Sequence, residues 1–398
     1  MIQNRMVKYD LVIVGGGAAG LAAAASFIRE ANQDEQHGGN VSVCILEKND
    51  APGRKINATG GGRCNLTNEA CPGKGNTLDF FRSIGIETWR DSEGRYYPYT
   101  NRASDVTKAL VDAAAEADVR CGFTVKVISR IKPDDGGDGY FMITGMDSSD
   151  SSEAPAMDMI FADRVLIAMG GKAGPQYGTT GDGYTIARTL GHTVTRVFPI
   201  LTGIECRSKG VSFASLKGVR AKGTVILNKD GEPIVRDTGE IQFTEDGISG
   251  ICVFNLTPHI KADKRENFAE ALKRYTVTVD LAPDFTEEQL AGRDSAFGVL
   301  TEKLSAAFAG KEVAEIKNWE LEITGIKGWR DAQATFGGVA LDEIDMDTME
   351  SRLVPGLYFA GEIIDAQGPC GGFNLQNAWE TGIKAAKAIA KGIKTGDE

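Results

Sequence analysis

The segment Ala58-Thr59-Gly60-Gly61-Gly62-Arg63-Cys64-Asn65 sets three consecutive glycines directly before a cation, a thiol and an amide. Glycine loses more backbone freedom on ordering than any other residue. A run of three is expected where the main chain lies against a ligand and no Cβ can intervene. A second such place runs from Gly361-Glu362 through Asp365 to Gly371-Gly372-Phe373-Asn374 and Gln376, where acids and glycines lead into a helical pattern. A third is Gly15-Gly16-Gly17-Ala18-Ala19-Gly20, a GxGxxG spacing.

The GxGxxG spacing carries the most definite chemistry. Between a strand and a helix, its first glycine permits a tight turn, its second lets a diphosphate reach the backbone, and its third lets helix and strand pack closely. Unpaired N–H groups at the helix start, around Ala18 and Ala19, then face the anion. Glu47, at the end of the next strand, is expected to accept hydrogen bonds from both ribose hydroxyls. Its charge repels a ribose 2′-phosphate at this place, which leaves FAD or NAD.

The remaining glycine segments favour FAD, the longer of the two. In two-dinucleotide-type flavoproteins a distal strand returns to hold the ribityl chain and the flavin. Leu357–Ala360 followed by Gly361 reads as that strand, and Asp365 is expected to take a ribityl hydroxyl. Backbone N–H groups around Phe373 and Asn374 fall at a helix start, where they stabilise negative charge on a reduced flavin. Gly60, Gly61 and Gly62 are expected to lie along the isoalloxazine, and Arg54 or Lys55 to contact phosphate or ribityl. Lys48, Thr59, Arg63, Cys64, Asn65, Glu362, Gly372 and Gln376 complete the expected cofactor set.

Positioning these residues requires a βαβ unit. Tyr9–Val14 is a short β-branched run, LAAAASFIREA is alanine-rich and helical, and Val41–Lys48 is a second buried strand ending in an acid. Such a unit implies a parallel sheet with a right-handed crossover. Residues 49–77 are glycine-rich and irregular. Ser104–Val119 reads as a helix capped by Ser104. FTVKVISRI and YFMITGM read as a hairpin turned by DDGGDG, and MDSSDSSEAPAMD as a solvated excursion. Ala162–Gly171 is a further strand running into glycines.

Near Arg196 the texture changes to strands with tight turns. TEEQ, Thr286–Gln289, has capping-box spacing, and helical patterns continue to Asn318. The expected organisation is an FAD-binding domain over 1–195 and 334–398, interrupted by a β-rich domain over 196–333 with a small helical part at 284–318. The fold class is α/β, a two-dinucleotide-type, Rossmann-like FAD/NAD(P)-binding domain with that insertion.

The motifs VIVGGGAAGLAAA, GRKINATGGGRCNLTN, GTTGDGYTIARTLGH and ATFGGVALDEIDMDTMESRLVPGLYFAGEIIDAQGPCGGFNLQNAWETG are together similar to the HI0933-like family of bacterial NAD(P)/FAD-dependent oxidoreductases. The resemblance runs end to end. It implies the same FAD fold and insertion, with Val125 offering its backbone to adenine and Ala168, Met169 and Gly170 passing near the adenosine. Pro369-Cys370 departs from the small or acidic residues more usual in the family, so the ring environment is expected to differ.

Composition narrows the alternatives. The net charge of −11 disfavours a general nucleic-acid-binding face. No apolar run approaches the roughly 20 residues of a membrane span, and the start of the chain lacks a signal-peptide core, so a cytoplasmic protein is expected. Seven scattered cysteines and three histidines disfavour a disulfide framework and a metal site. The flavin itself transfers the electrons, so no protein nucleophile is required. Cys64, Cys370 and Tyr97 are the candidate catalytic groups. The expected activity is NAD(P)H-linked reduction of an unsaturated small organic substrate. The alternatives are a flavin oxidase of small amines using O2, an RNA-acting flavoprotein, and a plain NAD-linked dehydrogenase. No second GxGxxG serves NAD(P)H.

Overall fold

The computed structural model describes residues 8–32, 41–133, 139–149, 156–262 and 266–394. The chain divides into two compact units, Met1–Phe198 with Thr335–Glu398, and Pro199–Ala334.

The first unit is built on a mixed sheet. Lys8–Val14, apolar and buried on both faces from Leu11 to Val14, lies parallel between Val43–Glu47 and Ala156–Ile167. Burial on both faces explains its unbroken apolar run. Asp118–Cys121 extends the parallel side beyond Val43–Glu47. On its other edge, Ala156–Ile167 is shared by two neighbours. Tyr140–Asp147 pairs antiparallel with its first half, and Leu357–Phe359 pairs parallel with Val165–Ile167. Phe123–Ile131 completes the hairpin with Tyr140–Asp147, and most of its turn lies outside the described residues.

The helix Ala18–Asn32 buries ten consecutive residues of its fifteen, from Ala19 to Ile28. It crosses the terminal helix Phe373–Lys394 where both are small. A Cβ at Gly382 would lie 2.3 Å from the Ala19 carbonyl oxygen. Trp379, Phe27, Phe81, Phe123, Phe141 and Phe359 are among the largest fully buried side chains, each worth about 1.5–3 kcal/mol of burial.

Three local expectations are corrected. The helix expected over Ser104–Val119 runs from Ala103 to Ala113, with Arg102 at its cap. The chain then turns, so that Asp118–Cys121 becomes the edge strand. The strand expected to begin at Ala162 begins at Ala156, so the end of the acidic excursion is already sheet, while residues 150–155 lie outside the described set. The irregular 49–77 segment holds the helix Arg54–Ala58, a 3-10 turn Thr59–Gly61, the short strand Thr67–Asn68 and the start of the helix Lys74–Ser83.

The second unit is a closed barrel. Its strands follow the order Ile204–Arg207, Gly247–Ser249, Glu232–Phe243, Arg220–Lys229, Tyr275–Asp280 and Trp319–Ile326. Alternating burial in Tyr275–Asp280 and Trp319–Ile326 turns one face of each strand inward. Phe213, Phe243 and Phe308 pack around Trp319 inside it. Between the last two strands lie short helices. In the first, Glu287–Leu290, both hydrogen bonds of the Thr286–Gln289 capping box are made. No helix among the described residues is long and apolar enough to cross a membrane.

Candidate functional site

The turn after Lys8–Val14 has the shape its glycines permit. Gly15 has φ 109°, and a Cβ there would lie 2.4 Å from the Ala168 carbonyl oxygen. A Cβ on Gly20 would lie 1.9 Å from the Gly15 carbonyl oxygen. Neither position accepts a side chain. A Cβ at Gly17, by contrast, would meet nothing within 4 Å. The middle glycine therefore faces open space, beside the unpaired first-turn N–H groups of the helix at Ala18 and Ala19. Ala168 hydrogen bonds to the Val14 carbonyl, which brings Ala168, Met169 and Gly170 against the same turn.

Glu47 is 7% exposed and serves as the hub of the turn. One carboxylate oxygen accepts the Gly16 N–H at 2.9 Å. The other accepts the Asn49 backbone and side-chain N–H groups at 2.8 and 2.6 Å. The oxygen bonded to Gly16 keeps an acceptor direction beyond this bond, while the other is filled by its two bonds from Asn49. Val125 is buried in the hairpin, where the ladder slips between Val125 and Val127 and loosens regular backbone pairing.

The two distant glycine segments meet. Asn68 Nδ2 donates to the Gly371 carbonyl at 3.0 Å, and Trp379 Nε1 donates to the Leu66 carbonyl at 3.0 Å. Gly372 has φ 104°, and a Cβ there would lie 2.8 Å from both Asn65 Oδ1 and the Thr67 carbonyl oxygen. Gly361, with φ 78°, abuts the first helix, since its Cβ would stand 2.9 Å from that of Ala19. The distal strand therefore delivers Gly361 to the GxGxxG turn and, a few residues on, Gly371 and Gly372 to the 60–68 segment.

This junction holds buried polar atoms with no partner. Asn65 Oδ1, Thr67 Oγ1 and Gln376 Oε1 lack hydrogen bonds in residues that are 7%, 0% and 4% exposed. An unpaired buried polar group costs about 1–3 kcal/mol, and three clustered together mark where a polar ligand belongs. Thr67, Asn68 and Trp379 were not among the expected residues. The LTN that follows GGGRCN was the available signal for the first two.

Several expected cofactor contacts are otherwise engaged. Lys48 pairs with Asp182 at 2.8 Å and Lys55 with Glu362 at 2.8 Å, so neither ammonium stands free for a phosphate. Glu362 also accepts the Thr335 N–H at 2.8 Å. Arg54 is bonded to Asn49. Asp365 accepts from Gln367 Nε2 at 3.1 Å. The Asn374 side chain clamps both backbone groups of Gly368, leaving the N–H groups of Phe373 and Asn374 at the helix start. Thr59 and Gly60 to Gly62 form a 3-10 turn and its cap, with all three glycines at positive φ and exposed.

The candidate catalytic groups fare differently. Cys64 is fully buried, and burial pushes its thiol up to about 12, which disfavours the thiolate. Cys370 is half-buried in the loop before Gly371. Tyr97 is 2% exposed, and burial raises its phenol. Arg63 stacks over its ring, with the guanidinium carbon 4.5 Å from the centroid. His192 is a structural bridge, with Nδ1 3.2 Å from Glu343 and Nε2 2.9 Å from Ser351.

Fold and turn together define a Rossmann-type dinucleotide-binding protein carrying a β-barrel insertion. Residues 73–388 match the HI0933-like protein Rossmann domain, and the chain belongs to the HI0933-like family. The match begins after the GxGxxG turn, which the geometry above establishes by itself. A 3-dehydro-bile acid delta(4,6)-reductase of Clostridium scindens is 34% identical over 95% of this chain and 98% of its own. Ribosomal RNA dihydrouridine synthases of Escherichia coli and Haemophilus influenzae are each 26% identical, over 96% of this chain and 98% of theirs.

Proposed function

We propose that this chain is an FAD-dependent oxidoreductase that reduces a carbon–carbon double bond conjugated to a carbonyl, with NAD(P)H as donor. The observation that carries the reading is the junction of the 60–68 and 371–376 segments, with its three unpaired buried polar atoms and its glycine cradle. The residues fit FAD. Free N–H groups at Ala18 and Ala19 receive the diphosphate, and Glu47 receives ribose hydroxyls. Asn65, Thr67 and Gln376 hold the far end, and the start of the terminal helix places positive potential there. Bound FAD supplies the two-electron carrier. The chain's own part is to hold it, exclude water with the packed Leu66–Trp379 junction, and orient the substrate.

The substrate class draws on the relatives. A 3-dehydro compound carries a ketone, and delta(4,6) denotes double bonds extending from it. Dihydrouridine is uridine with the double bond next to its carbonyl reduced. Both names describe one bond type in different molecules. A second reading, action on ribosomal RNA, is favoured by the two synthases. Against it stand the net charge of −11 and the barrel's cations, many of which are already paired, as in Arg207–Glu322, Lys217–Glu245, Arg220–Glu240 and Lys222–Asp284.

The test is to purify the protein and record its visible spectrum. Under anaerobic conditions NADH or NADPH should bleach the flavin bands, and a 3-oxo-4,6-diene steroid should restore them. A colourless protein that gains no colour with added FAD refutes the cofactor. Recovery with O2 and an amine cycle, but with no enone, refutes the reaction. Loss of dihydrouridine from ribosomal RNA in a deletion strain would decide for the second reading.

A further inference from the structure

The rim of the Gly60–Gly62 turn is closed by a ring of contacts. Arg63 stacks on Tyr97 at 4.5 Å and donates from Nε to the Gly60 carbonyl at 3.3 Å. Tyr97 stacks on Trp89, with centroids 5.6 Å apart. Trp89 Nε1 donates to Asn101 Oδ1 at 3.1 Å, and Asn101 is held at φ 55°, a conformation unusual for a side-chain-bearing residue. Arg102 follows at once. The circuit closes where the Ala103 N–H donates to the Gly62 carbonyl at 2.9 Å. The Arg63 side chain is thus held on the glycine turn by a ring and a main-chain bond, and the Ala103–Gly62 bond holds the backbone of the exposed Arg102 beside it.

Their charges are uncompensated. Nearby, Arg90 pairs with Glu69, Arg95 with Asp91, and Arg82 with Asp79. Arg63 and Arg102 have no carboxylate partner among the described residues. In a chain of net charge −11, no acid among the described residues answers either guanidinium, and Arg63 is held instead by the Tyr97 ring and the Gly60 carbonyl. Arginine is the side chain best suited to grip a planar oxyanion with paired N–H groups. Tyr99, the most exposed large apolar side chain among those described at 73%, stands three residues away and offers a flat apolar surface.

We propose that Arg63 and Arg102 form an oxyanion clamp that selects substrates in which the unsaturated carbonyl unit is joined to a carboxylate or phosphate. This inference rests on the reading that the reacting ring lies at the Gly60–Gly62 turn. The clamp reads the charged tail while the glycines leave the flat part of the substrate uncrowded. It makes no bond in the reaction, so both residues are positioning residues.

The experiment is calorimetric titration of the flavin-loaded protein with two matched pairs, 4-oxopent-2-enoate against its amide and uridine monophosphate against uridine. The clamp predicts at least about tenfold tighter binding of the anion in one pair, about 1.4 kcal/mol. Preference in the first pair identifies a small acid, and in the second a nucleotide. Arg63→Gln with Arg102→Gln should bring the ratio to about one, while Arg90→Gln keeps it. With activity established, Arg102→Gln alone should raise KM for the anionic substrate and leave kcat unchanged. Equal binding within both pairs, no measurable binding of either anion, or a preference that survives the double variant overturns the clamp. The visible spectrum of the same sample separates the two failures. Flavin present with no anion preference sinks the clamp alone, while a colourless sample sinks the cofactor reading.

Discussion

Gly17→Ala separates ligand binding from folding. The Gly17 backbone is not in the left-handed region, and a Cβ there meets no protein atom within 4 Å. The apoprotein should lose no stability. It should gain up to about 0.4–1 kcal/mol, because alanine narrows the unfolded ensemble. The same methyl stands where a diphosphate must approach the backbone. Losing one charge-assisted hydrogen bond costs about 1.5–3 kcal/mol, or about 10- to 100-fold in the FAD dissociation constant. Gly15→Ala and Gly20→Ala are the contrast. Their Cβ atoms would lie 2.4 and 1.9 Å from carbonyl oxygens, so both should disrupt the first unit even without cofactor. Guanidinium titration of the apoproteins and FAD titration by fluorescence quenching read the two effects separately. Wild-type FAD affinity in Gly17→Ala would refute the placement of the diphosphate. A large loss of apoprotein stability in that variant would refute the geometry of the turn.

Glu47→Ala removes the acceptor for Gly16 and Asn49 and should weaken both the apoprotein and FAD retention by about 1.5–3 kcal/mol, measured by the same two titrations. Burial lowers the His192 pKa below its usual 6.5, against the opposing pull of Glu343. The unfolded chain then binds the extra proton first, so stability should be full above about pH 6.5 and decline as pH falls below it. Denaturation of His192→Asn should show a flatter profile in that window, and an unchanged profile would count against the assignment. Cys64, with its thiol raised to about 12, should resist iodoacetamide in the native protein at pH 8, as peptide mass mapping will show, and Cys64→Ala should keep flavin and turnover.

Much of the first unit was legible because its signals are local. The run Leu11–Val14, the three glycines and the alanine-rich helix each follow from residues within one window, as does the Thr286–Gln289 cap. The helix expected over Ser104–Val119 failed for a physical reason. The run Ala113-Ala114-Ala115-Glu116-Ala117 has high helical propensity, but pairing of Cys44–Glu47 with Asp118–Cys121 takes the chain into the sheet. Closure of the barrel was also invisible, since alternation marks a strand and does not name its neighbour.

The site divides in the same way. Backbone features of the glycine turns were readable, because a glycine run has few other uses. The fates of Lys48 and Lys55 were not, because their carboxylate partners lie 134 and 307 residues away. The Leu66–Trp379 bond spans 313 residues and depends on the fold being assembled first.

Hydrogen exchange of the apoprotein with and without FAD tests the central claim most directly. The account predicts that one ligand protects amides of 15–20, 60–68 and 371–376 together. Protection confined to the GxGxxG turn, with the two converging segments unchanged, would contradict it.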